Sequence, residues 1–69
     1  MTRSELLRKI IKEARRLDIK ITKSERTNHT LFTIGKTMLW MPRHEKMKYG
    51  TERKILQDLE QEFGKGWYR

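Results

Sequence analysis

Sixty-nine residues make one domain, and a chain this short buries only about 60% of the surface it exposes when unfolded, enough for one thin core. It carries 17 Lys+Arg against 9 Asp+Glu, a net charge of +8, and no cysteine, which excludes disulfide staples and thiolate metal sites and fits a reducing cytoplasm. No apolar run approaches the roughly 20 residues needed to span a bilayer, and residues 1–14 carry charge throughout, with no signal-peptide apolar block.

Residues 4–17 read as a helix, because Leu6, Leu7, Ile10, Ile11, Ala14 and Leu17 recur at three- and four-residue spacing. Thr2 followed by Glu5 reads as a capping box. Arg8, Lys12 and Arg15 form a basic stripe beside the apolar face, extended by Lys9 and Arg16 and tempered by Glu5 and Glu13. Such a stripe is either the wet side of the helix or a contact for a phosphate backbone. Asp18 breaks the pattern, and residues 19–24, IKITKS, alternate apolar and polar as a half-buried strand does.

Residues 25–28 are polar and turn-prone, and HTLFTI, 29–34, is a second strand. If Thr30, Phe32 and Ile34 face the core, then His29, Leu31 and Thr33 face the other way, because side chains alternate along a strand. Gly35-Lys36 suits a two-residue type II′ hairpin, TMLWM (37–41) is the return strand, and Pro42 ends it for want of an N–H. Residues 43–50 read as a loop. Thr51 is a cap for a second helix over 52–63, with Ile55, Leu56, Leu59 and Phe63 on one side and Gly64 as its stop. The tail 64–69, with Trp67 and Tyr68, either docks or hangs loose. There are no repeats, low-complexity segments or linkers.

The order is therefore α-β-β-β-α, an α+β domain whose two helices cover one face of a three-stranded antiparallel sheet, the layout of double-stranded-RNA-binding domains. His29 then falls on the open face. Charge is uneven along the chain: residues 1–24 hold eight basic and three acidic groups, residues 25–50 five and two, residues 51–69 four and four. A one-sided positive surface attracts RNA, DNA, an acidic protein or anionic lipid.

Asn28-His29 before a strand, Met41-Pro42-Arg43-His44 at the end of another, and Gly50-Thr51-x-Arg53-x-Ile55-Leu56 opening a helix together resemble the HicA family of bacterial toxins, over roughly residues 4–59. The resemblance implies a dsRNA-binding-like fold, an mRNA-interferase activity that arrests growth, a catalytic strand histidine at His29, and an acidic HicB-like antitoxin protein as partner, covering that histidine.

The chemistry is coherent. RNA carries its own nucleophile, the ribose 2′-OH, and histidine, with an unperturbed pKa near 6.5, suits the removal of its proton. No metal or other cofactor is required. The chain has only two histidines, fifteen positions apart, and carboxylates scattered among cations, a poor match to a two-metal site. Around RNA the substrate-facing set is Arg26, Asn28, Trp40, Arg43, His44, Lys46 and Lys48, with Arg8, Lys12 and Arg15 for more distant phosphates.

Each assignment has a plainer alternative. His29 is otherwise a surface strand residue. His44 is a helix-capping loop residue, a general acid or a phosphate contact. Trp40 shares the open face with His29 if Leu39 and Met41 fill the core, and is core in the opposite register. For the whole chain, the alternatives to a ribonuclease are a non-catalytic RNA-binding module and, less well matched because the two helices lie at opposite ends, a DNA-binding protein.

Overall fold

The structure is a computed structural model describing residues 1–69. Helix α1 spans Arg3–Arg16 and opens with a complete capping box: the Thr2 hydroxyl accepts from the Glu5 N–H, and the Glu5 carboxylate accepts from the Thr2 N–H. Leu6, Ile10 and Ala14 are its buried stripe. The helix stops because Asp18 takes a left-handed conformation, φ 57°, in a Schellman turn. There the Ile19 N–H donates to Ala14 O at 2.8 Å and the Asp18 N–H to Arg15 O at 3.2 Å.

Strands β1 (Ile21–Glu25), β2 (His29–Ile34) and β3 (Thr37–Pro42) form an antiparallel sheet in the order β1-β2-β3. The first strand begins two residues later than its alternation indicates, since Ile19 is used in closing α1. The Gly35-Lys36 hairpin has positive φ at Gly35 alone, as type II′ requires. Glu62 clasps this turn, accepting from the Lys36 N–H at 2.7 Å and the Thr37 hydroxyl at 3.2 Å.

The last helix starts earlier than expected and is broken. Helix α2 runs Tyr49–Asp58, so Lys48 and not Thr51 is its N-cap, and Thr51 lies inside the first turn. Met47 packs against the core just before it, and Glu52 N–H to Lys48 O closes the turn. At Leu59 the chain tightens and continues as α3, Glu60–Phe63, ending at Gly64 with φ 101°. The apolar spacing survives the break: Ile55, Leu56, Leu59 and Phe63 all join the core beside Leu6, Ile10 and the inner sheet residues Phe32, Ile34, Leu39 and Met41.

The tail docks. Trp67 meets Phe63 edge-on at 4.9 Å between centroids and donates its Nε1–H to Leu56 O at 2.9 Å, while Tyr68 packs on Trp67 and takes the Arg53 guanidinium over its ring. Folding thus occupies both of these aromatic side chains. No helix is long and apolar enough to cross a membrane.

Asp18 and Gly35 test one backbone rule in opposite directions. Asp18→Gly should raise stability by up to about 1 kcal/mol, because glycine adopts positive φ without a Cβ penalty. Gly35→Ala should lower it by more than about 1 kcal/mol, since alanine is strained at this φ and its Cβ would push the Glu62 carboxylate off the turn. Urea unfolding midpoints read both signs.

Candidate functional site

The inner row of β2 begins with Thr30, a hydroxyl where a valine or isoleucine would pack more simply, and it is 1% exposed. A buried hydroxyl needs partners. Thr30 Oγ1 accepts from Arg3 Nη2 at 3.1 Å and donates to Glu25 Oε1 at 2.9 Å. Arg3 also donates from Nε to Pro42 O at 3.0 Å. The first turn of α1, the end of β1, the start of β2 and the end of β3 are tied together through one side chain.

Arg43 completes the tie. Expected as a cation facing substrate, it is exposed and turns its guanidinium to the β1–β2 turn, donating to Thr27 O at 3.1 Å, to Arg26 O, and to Glu25 Oε1 at 2.9 Å. These bonds engage both terminal nitrogens of the guanidinium, so Arg43 shapes the turn that leads into His29. The hydrogen bond from the Thr30 hydroxyl, joined by that from Arg43 and the charge of Arg43 and Lys23, holds the Glu25 carboxyl below the usual carboxylate range. Backbone and side-chain hydrogen bonds from Thr2 do the same for Glu5, and Arg16 does so for Glu13.

His29 stands on this base, exposed at the first position of β2, with its side chain on the face away from the helices. Trp40 shares that face. Leu39 and Met41 are core and Trp40 is 55% exposed, its ring edge-on to the His29 ring at 6.3 Å between centroids. Met38, 63% exposed, lies further along the same row. One outward residue departs from expectation: Leu31, opposite Trp40 in the register, is only 8% exposed although it lies outside the main core. The open face therefore carries a small apolar cluster beside the histidine.

The 43–48 segment brings further groups to the same place. It is fastened to the start of α1: the Arg3 N–H donates to Glu45 O at 2.7 Å, the Ser4 hydroxyl to Glu45 Oε1 at 3.1 Å, and Thr2 and Lys46 form a β-bridge. His29, Pro42, His44, Lys46, Lys48 and Thr51 then line one shallow depression, with Thr2 and Glu5 across from them. The N-terminus of α2 opens at its rim with no side-chain cap, which adds the positive end of a helix dipole to the lysines.

The residues anticipated around substrate thus divide. His29, His44, Lys46 and Lys48 converge, and Trp40 touches them through His29. Arg26 and Asn28 are exposed in the adjoining turn. Arg8, Lys12 and Arg15 form a separate patch with Ile11 on the outer side of α1, sharing no residue with the depression. Arg3 and Thr30 were not anticipated as part of this construction, and the single clue was a threonine in a core row. No group of three His, Asp or Glu side chains comes together. Comparison with known proteins finds no family model matching the chain, and no matching relative among curated proteins or solved structures.

Glu25 makes the base of the site sensitive to acid. A carboxylate whose folded pKa is depressed contributes stability above its unfolded value, about 4.3, and loses it as pH falls through the folded value. Thermal midpoints should therefore decline below about pH 4.3, and Glu25→Gln should shrink the difference between pH 7 and pH 3, leaving only the share carried by Glu5 and Glu13.

Proposed function

We propose that this chain is an endoribonuclease of the mRNA-interferase kind, with His29 as its general base. One observation carries the reading: a solvent-facing histidine stands in a depression shared with a second histidine and two lysines, beside an exposed tryptophan. An imidazole supplies the base, ammonium groups supply the charge, and an indole supplies a surface on which an unpaired base can stack.

In the reaction, neutral His29 takes the proton of a ribose 2′-OH. The oxygen attacks the adjacent phosphorus, the bond from phosphorus to the 5′-oxygen breaks, and that oxygen takes a proton from water, while His29 returns the proton it removed to solvent. The products are a 2′,3′-cyclic phosphate and a 5′-hydroxyl. Lys46 and Lys48 oppose the negative charge that builds on the phosphoryl oxygens, aided by the positive end of α2. Because the nucleophile belongs to the substrate, the histidine and the lysines account for the step without a metal.

The resemblance to HicA toxins supports the same reading, with messenger RNA as substrate, the cytoplasm as place of action and an acidic HicB-like antitoxin as partner. Such an antitoxin would cover the open face, where Trp40 and Met38 offer apolar anchors next to His29. A non-catalytic RNA-binding module is the second reading. The arrangement of Trp40 and Met38 favours it, since stacking on an open sheet needs no chemistry.

Purified protein should cleave messenger RNA in the presence of EDTA, and His29→Ala should lower the rate by about 10²–10⁴-fold while leaving the fold intact, because His29 is exposed. Equal retention of intact RNA by both proteins would establish the binding module instead. Expression of the chain alone should slow growth of a bacterial host, and His29→Ala should restore it.

A further inference from the structure

Helix α1 does not close fully against the sheet. Between it and β1 runs a groove of about 540 Å³ whose floor is Leu7, Ile10, Ile19, Ile21 and Phe32, with Ile11 38% exposed on its bank. Apolar side chains line most of it, in a chain with few to spare. It shares no residue with the depression around His29.

Both banks of the groove are basic. Arg15 and Lys23 line it directly, and Arg8 and Lys12 continue the α1 bank outward as a cationic patch around Ile11. Of the acidic groups nearby, Glu13 is paired with Arg16 and Glu25 with Arg43, while Asp18 stands alone in the α1–β1 turn. The elements bounding the groove lie within residues 3–25, which carry eight basic and four acidic groups.

We infer that this groove receives an acidic amphipathic helix from a partner protein, with its apolar stripe seated between α1 and β1 and its carboxylates over the two basic banks. Three other occupants fit less well. A second copy of this chain brings the same positive charge, and the apolar stripes of its own helices are already buried. An added β-strand meets the charged side chains of Lys23 and Glu25 along the outer edge of β1, a pattern that protects edges from pairing. A bilayer needs apolar groups that protrude, whereas here they line a recess. A helix lying alongside α1 at the usual packing distance places a stripe of i, i+3, i+4 and i+7 anchors into such a recess.

The inference stands apart from the nuclease reading, because the helix binds away from His29 and leaves the depression open. The test uses the full chain and a synthetic peptide of about 14 residues, capped at both ends, with leucines at i, i+3, i+4 and i+7 and glutamates on either side. Titration followed by two-dimensional NMR should move the amides of Ile11, Ala14, Ile19 and Ile21 and leave His29 and His44 unmoved. Arg15→Glu should weaken binding at least tenfold, as should a peptide with glutamine for glutamate. Ile11→Glu, at an exposed position that folding tolerates, should abolish it. Rates of cleavage of an RNA too short to reach beyond the His29 depression should be the same with and without the peptide, so a protein inactive on RNA that still binds the peptide would sink only the nuclease. Equal binding of a lysine-flanked peptide, shifts confined to the His29 depression, or binding to phosphatidylglycerol vesicles without binding to the peptide would overturn the inference.

Discussion

The hydroxyl of Thr30 holds the functional end of this protein together. It sits at the join of four elements, buried, with a guanidinium on one side and a carboxylate on the other. Without Arg3 and Glu25 it would be an unpaired polar group in the core, which is costly; without Thr30 the two charged groups would lose the bridge between them. Arg43 extends the same network outward onto the carbonyls of the β1–β2 turn. A sheet of three short strands is weak by itself, and its ends fray first. Here the end that carries His29 is the end that the network fastens.

This arrangement separates two tasks that a small basic domain has to combine. Cations that could repel one another are either spent inside the fold or left on its surface. Arg3 and Arg43 bind protein oxygens, and Lys46 and Lys48 face solvent beside the histidines. Glu5 lines the depression as well, its carboxylate held in the helix cap, and Glu52 is paired with the N-terminal ammonium. A phosphate approaching this end meets donors that the fold has left unused.

The molecule also has two sides with different chemistry. On the sheet's open face, Trp40, Met38 and His29 combine apolar surface with a titratable ring. On the far side, α1 and β1 enclose an apolar recess between basic banks. With only about 60% of its surface removed from water on folding, a chain this short cannot cover both helices and sheet completely, and what it leaves uncovered is available to partners.

Much of this could be read from the residues in order. Apolar spacing determined α1 and the Ile55–Phe63 stripe, alternation determined β2 and β3 and put Trp40 on the face opposite to Leu39 and Met41 without saying which was core, and Gly35 determined the hairpin, because each of these depends only on neighbours along the chain. The start of α2 at Tyr49 and not at Thr51, the docking of Trp67, the burial of Leu31 and the capture of Arg43 by the β1–β2 turn depended on groups up to dozens of residues away. The convergence of His29 with His44, Lys46 and Lys48 was decided in the same way. A loop has no periodicity to read, and its path came from Glu45 and Lys46 bonding to the first residues of α1, a meeting of distant segments that exists only once the chain has folded.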